Sequence, residues 1–324
     1  MKSKSLCFIV GMSFFMSPCY ADAGNEVKRD SFAHYTLAQN VLGVDGLQRQ
    51  QKDVVKPSVD SLSVKVKSDE KTINSYHNIE LSLMYHYFDY KEYLPVQLKS
   101  TETGWLPGIY LGWSYSKKNS IYMKLFFEYS FGDLTYDGTT QYGDPVKYSE
   151  NNQQKLFRGE FNIGYDYAAT RHISLKPYIG FGFRWWSRGE RNLTAEYSTF
   201  NGRYYWQYFS VGIATDIQFN DKISIQPNAG LRFMFNGKVT AYLSQVSDGF
   251  SDLTFDLVSK TGWYAEVPVV YKVSKNWAVI LKPWYEYSEI GKSNTLPLSN
   301  YVIANEPSSQ SKQYGVNLGV VLLF

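Results

Sequence analysis

From Tyr76 to the C-terminus, apolar and polar residues alternate with a period of two, the pattern of strands with one face in water and the other in an apolar medium. The first such segment, about 76–90, places Ile79, Leu81, Leu83, Tyr85 and Tyr87 on one face and Asn78, Glu80, Ser82 and His86 on the other. The fourth, about 154–168, is the cleanest: Phe157, Phe161, Ile163, Tyr165 and Tyr167 alternate with Arg158, Glu160, Asn162 and Asp166. The alternation predicts ten strands in all, the others at about 105–116, 120–133, 173–187, 203–219, 223–236, 262–273, 277–290 and 313–324.

The connections add a second regularity. Those at 117–119, 169–172, 220–222 and 274–276 are short, whereas those at 91–104, 134–153, 188–202, 237–261 and 291–312 are long, and the two kinds alternate. This segregation fits an all-β fold: a transmembrane up-and-down antiparallel β-barrel of about ten strands, with short periplasmic turns, long extracellular loops and both ends on the periplasmic side. Pro177, Pro227 and Pro283 run against it, because each removes a ladder donor inside a predicted strand. Strand bulges near the periplasmic ends would accommodate them.

The N-terminal segment differs in kind. Lys2 and Lys4, an apolar stretch from Leu6 to Phe15 and a polar run to Ala21 have the layout of a secretory signal, expected to span 1–23. Pro18 ahead of Cys19 argues against a lipid anchor at that cysteine. Residues 24–75 are polar and read as a periplasmic or lumen-associated extension, leaving 76–324 as the barrel.

Composition then decides between a soluble and a membrane barrel. Aromatic residues make up 17% of the chain and charged residues 19%, against the roughly 25% charged usual in soluble domains. Rings near strand ends, such as Trp105, Tyr115, Tyr165, Trp185, Trp263 and Trp277, suit the two interfaces of a bilayer. No run of 18 apolar residues follows the signal, so a bilayer would be crossed by closed sheet rather than by helix. Cys7 and Cys19 are the two cysteines, which excludes thiol chemistry from the barrel segment. Removing the signal, with Lys2 and Lys4, takes the formal net charge from +3 to +1, which gives a nucleic-acid partner no support.

The signal, the alternating segments and the final strand ending Gly319-Val320-Val321-Leu322-Leu323-Phe324 resemble Gram-negative outer-membrane β-barrel proteins. The resemblance implies an outer-membrane location, contact with lipid and lipopolysaccharide, and a terminal Phe324 read by the barrel-assembly machinery. In size the chain is similar to omptin-type surface proteases and small adhesin barrels. It has no Asp-x-His, the arrangement an omptin-like protease would show.

With lipid on the apolar face, the interior collects Glu80, His86, Lys124, Glu128, Arg158, Glu160, Lys176, Arg184, Arg188, Arg232, Glu266, Lys282 and Glu286. Two readings stay open: a charge-balanced interior that fills the barrel, or a narrow water-filled lumen, in which Tyr204, Trp206, Tyr208 and Trp284 form an aromatic wall. His86 is the histidine placed inward toward the extracellular half, with Glu92 or Glu102 as acid partners for a weak catalytic candidate. Asp133, Asp137, Asp248, Asp252 and Asp256 read as solvated loop charge, so neither metal nor cofactor is expected. The glycines, Gly180 and Gly182 among them, read as space for long side chains from neighbouring strands rather than as a nucleotide loop. The expected role is structural or surface-interactive, adhesin-like, for a monomer whose extracellular loops meet an outside ligand. The alternatives are a narrow porin for small solutes and a surface hydrolase using His86. Deleting Phe324 is expected to lower the yield of membrane-assembled protein more than a loop deletion of the same size, measured by heat-modifiable gel mobility of outer-membrane fractions.

Overall fold

The computed structural model describes residues 17–18, 75–139, 147–189, 201–245, 251–299 and 302–324. The expected signal and extension, apart from Ser17, Pro18 and Ser75, lie outside the described residues, as does Asp248. The strands are β1 (Ser75–Glu92), β2 (Ser100–Lys117), β3 (Ser120–Thr139), β4 (Lys147–Ala168), β5 (Ile173–Arg188), β6 (Gly202–Gln218), β7 (Ile223–Ile225) and β8 (Asn228–Ala241). They continue as β9 (Leu253–Leu257), β10 (Thr261–Glu266), β11 (Val269–Lys272), β12 (Trp277–Ile290), β13 (Leu296–Ser299), β14 (Val302–Ala304) and β15 (Ser309–Leu323). No helix among the described residues is long and apolar enough to cross a membrane.

All but β13 and β14 belong to one antiparallel sheet that returns on itself. The last strand closes it: β15 pairs with β1 from Leu323↔Asn78 to Ser309↔Glu92 and, on its other edge, with β12 from Trp277↔Leu322 to Ile290↔Ser309. Phe324 extends the seam, exchanging backbone hydrogen bonds of 2.9 and 3.1 Å with His77 and stacking on its ring. Pairing of β15 with both β1 and β12 closes the sheet into a ring, as a sheet in hydrocarbon requires. A separate small sheet joins β13 and β14, with Ser17–Pro18 alongside β14.

The ten expected strands appear in the closed sheet as thirteen hydrogen-bonded segments. Three interruptions create the extra segments. Gln226-Pro227 separates β7 from β8, Val267-Pro268 separates β10 from β11, and residues 258–260 separate β9 from β10. The prolines keep their acceptors in use: Thr215 N donates to the Pro227 carbonyl, Gln226 N to that of Pro268 and Val267 N to that of Pro283, at 2.7, 2.8 and 3.0 Å. The missing donors thus fall in one row across neighbouring strands. Pro177 and Pro283 stay within β5 and β12, opposite Ile213 and Val316.

Two of the expected long loops are also largely strand. β1 and β2 approach within seven residues of one another, and β3 pairs with β4 as far as Thr139↔Lys147. At 20 and 22 residues, β3 and β4 are about twice the 9–11 residues that a tilted strand needs to cross a bilayer. The polar composition of 134–153 made it read as loop, although polar strand is what a ladder standing clear of lipid consists of.

The two faces divide sharply. Leu81, Leu83, Ile109, Phe161, Ile179, Phe209, Leu231, Leu281 and Leu318 are exposed on the outside, while Glu80, His86, Arg158, Glu160, Arg184, Arg232, Lys282 and Glu286 are buried within. Tyr208 lies over Gly182, where a Cβ would stand 2.5 Å from its ring, so glycine there makes room for tyrosine from the next strand. Phe161→Arg and Leu231→Arg, on the apolar band, are each expected to cost about 2–4 kcal/mol if near the bilayer midplane. Folding yields into lipid vesicles should fall accordingly, and wild-type yields for both would reverse the facing assignment.

Candidate functional site

Alternation sends every second side chain of each strand into the lumen, so charges from strands all round the ring converge there and must find partners. They do so in layers. At the end near the chain terminus, Lys176 Nζ lies 2.6 Å from the Tyr76 hydroxyl and 3.8–3.9 Å from Asp216 and Asp166, and Ser116 donates to Asp166. Above it, Lys124 pairs with Glu266 at 3.1 Å and Lys282 with Glu80 at 2.7 Å, while Asn228 donates to Glu266. Lys282 Nζ sits 3.4 Å from the centre of the Tyr110 ring, a cation held against an aromatic face.

The middle layer is built around Glu286 of β12. Arg184 reaches its Oε1 at 2.6 Å, Arg232 its Oε2 at 2.7 Å, and Arg158 also pairs with Oε2. Arg158 pairs in addition with Glu128, and Arg232 with Glu160 at 3.0 Å. Glu160 also accepts from Tyr208 at 2.9 Å and Ser210 at 3.2 Å. The arginines come from β4, β5 and β8, so one carboxylate ties together four parts of the wall.

Toward the outer end the filling becomes apolar and aromatic. Phe88, Leu106, Leu134, Leu156, Trp186, Met234, Val239, Phe255 and Ile290 form a buried cluster, with Leu296 and Leu298 of β13 packed against it. Arg188 lies within it, donating to Glu102 at 2.9 Å, Glu92 at 3.0 Å and Tyr204 at 3.2 Å. Glu306, between β14 and β15, completes this group: its carboxylate accepts from Tyr204, and its backbone N–H donates to Ser293 Oγ at 2.7 Å. Burial, then the neighbouring Glu92, pushes the Glu306 carboxyl up to about 8. Period-two reading could not place Glu306 or Ser293, which belong to an irregular connection.

The structure brings the predicted lumen charges into these layers, with Lys124, Glu128 and Glu266 half-buried and the others buried. The proposed aromatic wall divides. Tyr204, Trp206 and Tyr208 form a column on β6, facing Arg188, Arg184 and Arg232 in turn. Trp284 stands apart on β12, donating to Asn317 at 2.8 Å and packing 5.3 Å from His86. His86 is buried, neither ring nitrogen has a hydrogen-bond partner among the described residues, and Glu92 and Glu102 engage Arg188 instead. No group of three His, Cys, Asp or Glu among the described residues could hold a metal ion.

Among the described residues, small recesses flank the middle layer. One is lined by Tyr110, Lys124, Phe126, Tyr264, Glu266 and Trp284, and another by Arg184, Trp206, Tyr208, Met234 and Lys260. Arg158, Arg232 and Glu286 line both, so the middle layer is the partition between them.

The profile of the autotransporter beta-domain matches residues 95–282, more than half of the chain and most of this closed sheet. The chain belongs to that family. No curated protein sequence matches it. Among solved structures, this autotransporter-family barrel is similar to the outer-membrane protease OmpT from Escherichia coli, at 9% identity over 78% of this chain and 98% of that one, with a TM-score of 0.50. The attachment invasion locus protein Ail of Yersinia pestis aligns at 14% identity over 76% and 98%, with a TM-score of 0.30. OprG from Pseudomonas aeruginosa aligns at 10% identity over 77% and 96%, with a TM-score of 0.34. The likeness to OmpT is one of fold, a closed antiparallel barrel.

The raised carboxyl of Glu306 has a consequence for stability. Folded, it holds its proton up to about pH 8; unfolded, it loses it near 4.5. Between those values the folded state binds more protons, so stability falls as pH rises through this window. Wild-type protein should lose resistance to denaturant from about pH 5 to 8 relative to Glu306→Gln, measured by tryptophan fluorescence in detergent; parallel curves would show that Glu306 does not titrate there.

Proposed function

We propose that this barrel admits small solutes to its lumen as a narrow passage held shut by the Arg158–Glu286–Arg232 layer. One observation carries the reading: two recesses, on opposite sides of that layer, share the three residues that separate them. A salt-bridged partition suits a closed passage, because its charges are paired when shut and rearrange only if they are screened or replaced. The apolar cluster toward the outer end fills the lumen there and keeps the passage narrow. We read the thirteen segments as ten staves: the β9–β8 and β10–β8 pairings continue one register, as do the β7–β6 and β8–β6 pairings across Pro227, so β7 with β8 and β9 with β10 and β11 each make one stave. Ten staves leave only a small lumen once the side chains are placed.

A second reading, interaction with an outside ligand in the manner of an adhesin, is supported by the length of β3 and β4, whose paired ladder exceeds what a bilayer covers. A hydrolase centred on His86 has no comparable support, since no carboxylate orients that ring.

Planar-bilayer recording separates the first two readings. Refolded wild-type protein is expected to give small, infrequent unitary currents, and Glu286→Gln to raise the open fraction severalfold, because three guanidinium groups lose their shared anion. Silent traces from both, with heat-modifiable mobility showing intact barrels, would overturn the passage and leave the surface-interaction reading.

A further inference from the structure

The connection from β12 to β15 folds back onto the buried cluster at the outer end of the lumen. Its two ends are fixed: Gly291 N donates to Val258 and Asn294 N to Asp256, both at 3.1 Å, and Tyr93 N donates to Ser308 at 2.8 Å. Between these ties the β13–β14 hairpin rests on the cluster through Leu296, Leu298 and Ala304. Ser293 and Glu306 close its base, with Ser293 N donating to the Glu306 carbonyl at 2.9 Å and Glu306 N to Ser293 Oγ at 2.7 Å. The Glu306 side chain then ties this base to the wall, accepting from Tyr204 of β6.

The charges around that tie do not balance. Glu306 faces Glu92 and Tyr90 of β1, Glu102 of β2, Arg188 of β5 and Tyr204 of β6, so three buried carboxyl groups meet one guanidinium. Half-buried Glu150 of β4 stands near Glu102 and brings no counter-charge. Arg188 already serves Glu102 and Glu92 at 2.9 and 3.0 Å, and one oxygen of Glu92 and one of Glu306 have no hydrogen-bond partner among the described residues. Buried charge without a counter-charge is costly, so the arrangement is stable with a proton on Glu306 and unstable without it.

We propose that the β13–β14 hairpin is a lid on the outer mouth of the barrel, latched by the Glu306–Tyr204 contact and released when Glu306 gives up its proton. Closed, the carboxyl keeps that proton to about pH 8; solvated in the open state, it ionises near 4.5. The closed state binds more protons between those values, so the ratio of open to closed rises about tenfold for each pH unit across them and levels off above. Ionised, Glu306 is repelled by Glu92 and Glu102, and water outside takes the place of Tyr204. The wall stays closed meanwhile, because β15 keeps its ladders to β1 and β12. The lid operates whether or not solutes cross the Glu286 layer.

The barrel segment has no cysteine, so nitroxide labels on Pro297→Cys and Lys91→Cys, both at exposed positions, report the distance from hairpin to wall. Pulsed electron resonance of refolded protein in detergent micelles is expected to show one narrow distance at pH 5 and a longer, broader population at pH 9, increased at least tenfold. Glu306→Gln should keep the narrow distance at both pH values. Glu92→Gln should shrink the response, because it removes the neighbour that helps hold the proton on Glu306; a merely structural tie would not change in this way. Heat-modifiable mobility should be the same at pH 5 and 9, which separates lid release from unfolding. A wild-type distance that does not change with pH, an equal response in Glu306→Gln or Glu92→Gln, or loss of the barrel together with the hairpin would each overturn the proposal.

Discussion

Lipid on the outer face allows the charges of these strands only one direction to point, and the rest of the structure follows from that. A guanidinium or carboxylate against hydrocarbon is costly, so Glu80, Arg158, Arg184, Arg232, Lys282 and Glu286 all turn inward. Once inside, they are buried as deeply as in any protein core and must be neutralised there. Pairing within a narrow ring draws partners from distant strands: Arg158 of β4, Arg184 of β5 and Arg232 of β8 all meet Glu286 of β12. The wall and its filling therefore specify one another. Removing one member of such a group typically costs about 3–5 kcal/mol, because its partners stay buried and charged.

Much of this was legible in the alternation itself. Phe161, Leu231 and Leu318 read as outward and are exposed; Arg158, Glu160 and Glu286 read as inward and are buried. Period two gives the face of a residue but not its height or its neighbour around the ring, so the convergence on Glu286 could not be foreseen. Nor could the division of the aromatic set, since Trp284 is inward like Tyr204 and Trp206 yet stands on another strand with His86 and Asn317. The prolines were visible as a difficulty. Their resolution depends on cross-strand register, which aligns Pro227, Pro268 and Pro283 through successive N–H to carbonyl bonds.

The outer end was the least legible part. Residues 134–153 and 291–312 are polar or irregular enough to read as loop, and periodicity assigns no face where there is no strand. There β3 and β4 extend as paired ladder, and the connection through β13 and β14 brings Leu296, Leu298, Ala304 and Glu306 onto the buried cluster. The filling thus changes character along the axis, from ion pairs to an aromatic cap in which a single arginine, Arg188, serves Glu92 and Glu102 beside Glu306. The two recesses lie where these regimes meet the Glu286 layer, which is why that layer carries the functional reading.

The central claim is the inside-outside division of the wall, and a nitroxide scan along β12 tests it most directly. Labels at Val279, Leu281 and Tyr285 should relax readily with oxygen, which concentrates in lipid, whereas labels at Ala278, Ile280 and Trp284 should be shielded from both oxygen and a water-soluble nickel chelate. Loss of this two-residue alternation, or oxygen access at the second set rather than the first, would contradict the account.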